Sequence, residues 1–134
     1  MEIRKNGFRM ELTCTFEAWW RYNIALMGCC FDTAEVRTDF ISVTDTIAAV
    51  GTNLSACPPD YPTTRKTVLV SAPCDHLTLY VYIIPHTLPA NRAVDAGQPF
   101  EVNLRIFYGE QLLRTEIIPV NQWSGTSAEL HLSK

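Results

Sequence analysis

The sequence predicts an all-β fold: an antiparallel β-sandwich of about seven to eight strands with at most one short helix, occupying residues 1–134 as a single domain. Three observations carry this reading. Apolar and polar residues alternate with period two in most of the apolar segments, as expected of strands with one dry and one wet face. Links rich in Pro, Gly, Asn and Ser separate those segments. Only one short stretch reads as helix. Two sheets packed face to face account for the alternation, because each sheet then buries one of its faces.

The first strand begins after the Asn6-Gly7 turn signal. Phe8, Met10, Leu12, Cys14, Phe16 and Ala18 share one face, while Arg9, Glu11, Thr13, Thr15 and Glu17 share the other. If the extension continues, one of Trp19 and Trp20 faces outward. "RYNIALMGCCF" reads as a strand in which Gly28 marks a bend or bulge. "AEVRTDFISV" is a further strand. "TDTIAAVG" reads as the short helix, capped by Thr44 or Asp45 and closed by Gly51, or else as a strand continuing from Ile41. Residues 51–66 form a loop punctuated by Pro58, Pro59 and Pro62, and "TVLVSA" is a short strand ended by Pro73.

After "CDHLTLYVYIIPH" and the long link "LPANRAVDAGQP", the last third alternates most clearly. In "PFEVNLRIFYG", Phe100, Val102, Leu104, Ile106 and Tyr108 are inward. A two-residue loop at Gly109-Glu110 suits a type II′ turn but sets Arg105 opposite Arg114, and like charges directly opposed are unfavourable. A four-residue loop over 109–112 sets Arg105 opposite Glu116 and is the preferred expectation. "SAELHLSK" closes the chain with Ala128, Leu130 and Leu132 inward.

Composition bounds the function. A chain of 134 residues with 47% hydrophobic and 19% charged residues is globular in type and long enough to build one core. Its formal net charge is −3. The adjacent basic pairs Arg4-Lys5 and Arg65-Lys66 extend into no longer run and read as solvated surface. Nucleic acid is therefore not an expected partner, since its binding needs clustered cations. No segment reaches the apolar length of a membrane span. The start lacks the apolar core of a secretory signal, so the expected location is cytoplasmic if the chain is complete, and extracytoplasmic if Met1 replaces a removed signal. Asn53-Leu54-Ser55 would be a glycosylation acceptor only in a secreted chain.

The five cysteines, Cys14, Cys29, Cys30, Cys57 and Cys74, are odd in number and lack C-x-x-C spacing. They read as small apolar residues. A zinc set of Cys29, Cys30, Cys74 and His76 is disfavoured, because adjacent residues of an extended segment point to opposite sides. No metal and no cofactor is expected.

Cys74, Asp75, His76 and His86 are the residues that could carry chemistry. His76 and His86 lie ten positions apart, roughly 30 Å along a strand, and cannot share a metal. Side chains of Cys74 and His76 would point in parallel rather than at each other, and the stretch from Cys74 to His86 reads as a strand with polar ends. No hydrolase, phosphate-loop, zinc-protease or dinucleotide motif is present. The expectation is no catalytic residue. Asp32, Asp39, Asp45, Asp60, Asp75 and Asp95 fall mostly in links or at strand ends, where turn use outweighs calcium ligation.

What remains is an outer face carrying Tyr80, Tyr82 and Ile84 on one strand, Phe107 on another, and Trp19. Apolar and aromatic residues on a nominally wet face suggest a covered one. Either a helix or loop of the same chain covers it, or a partner does. The expected function is a non-enzymatic β-sandwich interaction or structural module, a small subunit of a larger assembly. Its partner is another protein or a second copy, and Trp19, Tyr80, Tyr82, Ile84 and Phe107 are the contact residues. One alternative is a ligand-binding module for carbohydrate, or for calcium and lipid in the manner of a C2-like domain. The other is an enzyme using Cys74 with His76 and a nearby Asp.

Overall fold

The computed structural model describes residues 7–52, 54, 57, 64–88 and 99–134. Among these are eight strands: β1 (Phe8–Cys14), β2 (Tyr22–Phe31), β3 (Arg37–Asp45), β4 (Arg65–Val70), β5 (His76–Pro85), β6 (Phe100–Tyr108), β7 (Gln111–Val120) and β8 (Thr126–Ser133). A 3₁₀ turn at Trp19–Arg21 is the one helical element among the described residues. The strands form two four-stranded antiparallel sheets, ordered β4-β1-β6-β7 (the first sheet) and β3-β2-β5-β8 (the second). The expected all-β sandwich is what the chain adopts. β2–β3 and β6–β7 are hairpins, and every other connection crosses from one sheet to the other.

The alternation read from the sequence produces the core. Phe8, Met10 and Leu12 of β1 and Val102, Leu104 and Ile106 of β6 face Ile24 and Leu26 of β2 and Leu77, Leu79, Val81 and Ile83 of β5. Each such side chain contributes about 1.5–3 kcal/mol by leaving water. Aromatic residues close the ends. Phe16 stacks on Phe100 at 4.2 Å, and Tyr22 tilts against Phe100 at 5.2 Å. The Tyr22 hydroxyl donates to the Gln122 carbonyl at 2.8 Å. At the opposite end Phe8 meets Tyr108 edge-on at 4.9 Å. The β7–β8 connection runs so close to β5 that a Cβ on Gly125, whose φ is 73°, would collide with the Ile83 carbonyl oxygen.

Five local expectations are corrected. β1 ends at Cys14, and the 3₁₀ turn then carries the chain to the other sheet. Trp19 is consequently turned into the core at 4% exposure rather than outward. "TDTIAAVG" is not helical: β3 runs through Asp45. Asp45 is committed to Arg65, and the Asn23 side chain accepts from the Ile47 amide at 2.8 Å and donates to the Ala48 carbonyl at 2.7 Å. The backbone groups a helix start would need are thus engaged from β2.

Gly28 makes no bulge, and the register shift falls at Cys30/Phe31. Gly28 is buried, and a Cβ there would press on Ile41 Cγ1 at 3.1 Å. The β6–β7 loop is the two-residue one, with Tyr108 paired to Gln111 and a bulge that leaves Leu113 unpaired. Gly109 has φ 61°, as the first position of a type II′ turn requires. The bulge sets Arg105 opposite Thr115, so the two arginines are not opposed. Arg105 finds its counter-charge on β1 instead, where Nη2 donates to Glu11 Oε1 at 2.9 Å.

The fifth correction concerns the Arg65-Lys66 pair. Lys66 is exposed, but Arg65 is buried at 4% and reaches from the first sheet into the second. Its Nε donates to Asp45 Oδ2 at 2.8 Å, Nη2 to the Asp45 carbonyl at 2.6 Å, and Nη1 to the Trp19 carbonyl at 3.0 Å and to the Tyr22 carbonyl. The guanidinium also lies over the Trp19 ring, 5.6 Å from its centroid. Arg4-Lys5 and most of the 51–66 and 88–99 links lie outside the described residues.

Arg65→Ala should destabilise the fold by roughly 3–5 kcal/mol in urea titrations, since it removes one member of a buried ion pair and orphans buried carbonyls. Arg65→Lys should recover little of this, because an ammonium cannot present the planar fork. Near-wild-type stability of the Lys variant would show that charge alone, not the fork, is what matters.

Candidate functional site

The residues singled out for chemistry do not converge. His76 opens β5. Its Nδ1 lies 2.9 Å from Asp75 Oδ2 and its Nε2 lies 3.1 Å from Glu35 Oε1, while Phe31 stacks on the ring at 5.1 Å. Hydrogen bonding to Asp75 comes first, and the Glu35 carboxylate adds to it; together they raise the imidazole pKa against the opposing effect of burial. With both nitrogens facing carboxylates, His76 is not placed as a base for Cys74. The Cys74 thiol is instead within hydrogen-bonding reach of Cys30, whose pKa is pushed up to about 12 by burial and then by Cys74. Cys29 and Cys30 point to opposite faces of β2, Cys29 half-buried and Cys30 buried. The four conceivable zinc ligands therefore do not share a centre, and no cluster of three or more metal-binding side chains occurs among the described residues.

The aspartates are engaged singly. Asp32 Oδ1 accepts from the amides of Ala34 and Val36 in the β2–β3 turn, at 2.8 and 3.0 Å. Asp39 accepts from the Phe40 amide, Asp45 holds Arg65 and Asp75 holds His76. Asp60, Asp95 and the Asn53 acceptor lie outside the described residues. Asp32 and Asp75 line a cleft of about 360 Å³ with Thr33, Thr38, Cys74 and Tyr108 at one end of the sandwich. Without a base aimed at Cys74, that cleft holds no nucleophile pair.

His86 lies far from His76, just past β5, and is buried at 2% exposure. Its Nε2 lies 2.7 Å from the Trp20 carbonyl and its Nδ1 lies 2.7 Å from Thr87 Oγ1. The carbonyl can only accept, so Nε2 carries the proton and Nδ1 accepts from the Thr87 hydroxyl. Burial, with the Arg65 charge, lowers the His86 pKa despite the Trp20 hydrogen bond. The residue read as the polar end of a strand is thus a neutral internal donor.

The five proposed contact residues are split three ways. Trp19 is in the core. Phe107 lies on the outer face of the first sheet, paired with Arg9 and Leu112. Arg9 and Arg105 cover its ring, at 4.2 and 5.4 Å. The same two arginines and Lys66 surround Glu11, which is only 7% exposed although it belongs to the outer face. Burial alone would raise the Glu11 pKa, but the Arg105 hydrogen bond and the charges of Lys66 and Arg9 outweigh it and leave the carboxyl below its ordinary value. The centre of this face is a charged network with local partners, flanked by exposed Val68 and Val70 on β4 and Leu112 and Ile117 on β7.

Tyr80, Tyr82 and Ile84 lie together on the outer face of the second sheet. Tyr80 pairs across to Met27 and Glu129, and Tyr82 to Ala25 and Ser127. The edge strand β3 adds Phe40, opposite Cys29 and 53% exposed, and Ser42 and Thr44. Among the outward residues Asn23, Ala25, Met27 and Cys29 and their described cross-strand neighbours, Glu129 is the only carboxylate and His131 the only imidazole, with no Lys or Arg. A shallow hollow of about 290 Å³ runs beside Tyr80 and Tyr82. Burial and the nearby Glu129 carboxylate raise the Tyr80 pKa. Among the described residues no helix covers this face, since the 3₁₀ turn is the only helical element and its Trp19 is internal.

Ala25, Met27 and Phe40 were missed by the sequence reading, although a signal was present. In "YNIALMGCC" both alternating sets are low in charge, which marks a central strand with both faces shielded.

No protein family, no curated protein and no solved structure matches this chain. No helix among the described residues is long and apolar enough to cross a membrane.

Two predictions follow from the titrating groups. Because the folded-state pKa of His86 is depressed, its contribution to stability is present above the ordinary value of 6.5 and is lost as pH falls through the folded value. His86→Gln should therefore lose less stability than wild type between pH 7.5 and 5 in urea titrations. The raised pKa of His76 acts with the opposite sign, present below 6.5 and lost as pH rises, but it is common to both proteins and cancels in the difference. Parallel curves would rule out a buried neutral imidazole. Glu11→Gln should cost about 1–2 kcal/mol at pH 7, because it leaves three cations without their shared anion while solvent screens the exposed Arg105 and Lys66.

Proposed function

We propose that this protein is a non-enzymatic β-sandwich interaction module that docks through the outer face of its second sheet. The observation that carries this is that the central rows of the face presenting Tyr80, Tyr82, Met27 and Phe40 hold Glu129 and His131 but no Lys or Arg. Interface cores are depleted in charged residues and enriched in aromatic residues and Met, which is the composition of this face. The first sheet supplies the contrast, because its Phe107 and its charges already satisfy one another within the chain. A non-catalytic role is supported by the occupied nitrogens of His76 and His86 and by a Cys74 thiol that faces another thiol rather than a base.

Tyr80→Thr together with Tyr82→Thr tests the reading through stability. Threonine keeps the strand preference, and the half-buried rings lie outside the core, so the pair should cost about 1 kcal/mol. Leu79→Ala, in the same strand but wholly buried, should cost about 2–5 kcal/mol. If the tyrosine pair proves as damaging as Leu79→Ala, the rings are covered by the chain itself and the docking face does not exist.

A further inference from the structure

We infer that Cys30 and Cys74 form a redox site: a dithiol that exchanges with a low-molecular-weight disulfide and closes into an intramolecular Cys30–Cys74 bond. The two residues come from different elements. Cys30 is inward near the end of β2 and 1% exposed, while Cys74 lies in the crossing from β4 to β5 and packs on the edge of the same core. Hydrogen bonds fix the approach. The Asp75 amide donates to the Phe31 carbonyl at 3.0 Å, which carries the β2–β5 ladder past the Phe31–His76 pair and seats Cys74 against the end of β2. On the other flank the Ser71 amide donates to the Phe8 carbonyl at 2.8 Å, and the Tyr108 hydroxyl donates to the Cys74 carbonyl at 3.4 Å. The crossing is thus held at both ends, with its thiol within reach of Cys30. The other cysteines are placed elsewhere. Cys29 points to the opposite face of β2, Cys14 pairs with Arg65 at the far end of the sandwich, and Cys57 is exposed in the link after β3.

Access divides the roles. Cys74 is half-buried and lines the cleft of about 360 Å³ with Thr33, Thr38, Tyr108 and Lys134, whereas Cys30 is closed to solvent. As a thiolate, Cys74 attacks one sulfur of the small disulfide RSSR. A Cys74–SR bond forms, the S–S bond of the reagent breaks and RS⁻ leaves. Cys30 then gives up its proton, attacks the Cys74 sulfur and expels the second RS⁻. The protein loses two electrons and two protons, and RSSR takes up both to leave as two RSH. The second step is the slow one. Burial, ahead of the effect of Cys74, pushes the Cys30 pKa up to about 12, and that burial persists once Cys74 is blocked.

Closure joins a segment leaving the first sheet to a central strand of the second, at the end of the sandwich opposite Arg65. The bond closes a loop of roughly 45 residues and so constrains the unfolded chain far more than the folded one. Oxidation therefore stabilises the fold and withdraws the Cys74 thiol from the cleft. Neither thiol lies on the outer face of the second sheet, so the site stands apart from the docking face.

The reduced full chain, equilibrated without oxygen in a glutathione redox buffer rich in the disulfide, tests this by peptide mass spectrometry after alkylation of the remaining thiols. The expected product is one internal bridge joining the Cys30 and Cys74 peptides, two hydrogens lighter than the dithiol and preceded by a glutathione adduct on Cys74. The thermal midpoint should rise by about 5–10 °C and fall back on addition of dithiothreitol. Cys30→Ala should arrest the reaction with glutathione on Cys74, and Cys74→Ala should leave Cys30 unmodified. A wild-type chain that at equilibrium keeps glutathione on Cys74, or is unmodified there, overturns the assignment. So does a bridge to Cys29 or Cys57, or one that forms only in denaturant. Mapping of the wild-type chain decides the matter by itself, whether or not either variant folds.

Discussion

A guanidinium at 4% exposure, shared between two sheets, is the interaction on which the arrangement of the sandwich turns. Five of the connections pass from one sheet to the other, and a crossing segment leaves the hydrogen-bond ladders behind. The first crossing brings residues 19–22 to the sandwich edge, with carbonyls that no strand can satisfy. Arg65 donates to those of Trp19 and Tyr22, the His86 ring to that of Trp20, and the His86 and Thr87 amides to that of Arg21. Every carbonyl from Trp19 to Tyr22 thus has a donor, where each orphan would cost about 1–3 kcal/mol. The two side chains are also linked electrically. The Arg65 charge disfavours a second cation nearby, which helps keep His86 neutral and its Nε2 hydrogen in place. Asp45 completes the arrangement by neutralising Arg65, and that commitment leaves β3 to end without a helix.

These dependencies explain which parts of the molecule were legible in the chain. The strands could be read because alternation is local: from Phe100 to Ile106 and from Leu77 to Ile83 every residue expected inward is buried, although Tyr108 is only half-buried and the outward Thr78 is buried as well. The crossing was not legible. Arg65 sits in "TTRKTVLV" beside an exposed Lys66, and only the topology brings it to partners 20 to 46 residues away. His86 ends a strand and reads as a polar terminus, yet the crossing it satisfies lies 66 residues upstream. Trp19 follows the same logic: the alternation that would turn it outward stops at Cys14, where the chain leaves its sheet. The hairpin failed for a related reason. Judging the β6–β7 register by its own two arginines ignored β1, which lies on the other side of β6 and supplies Glu11 to Arg105.

The candidate site was half legible for a further reason. Period-two alternation assigns a side chain to the wet face but does not tell one wet face from the other. Tyr80, Tyr82, Ile84 and Phe107 are all outward as expected, yet Phe107 belongs to the opposite sheet. Its neighbours differ in kind. Two arginines close over it, so its apolar area is screened within the chain. No cation is within reach to do the same for the tyrosine pair among the described outer-face residues of the central rows, whose cross-strand neighbours are Met27, Ala25, Glu129 and Ser127.

That difference turns a compositional hint into a directional one. Both sheets meet the core with the same kind of apolar face, so nothing in the interior distinguishes them. Their outer faces divide the chain's charge unequally. The first gathers Arg9, Glu11, Lys66 and Arg105 into a network that is already satisfied and well hydrated. The second keeps Arg37 and His76 at one end, and its central rows hold Glu129 and His131 with no Lys or Arg. A protein surface approaches another at least cost where it has few ions to desolvate and broad rings to bury. On this molecule that condition is met on the outer face of the second sheet, and the residues that meet it come from its two central strands, held rigid by pairing on both sides.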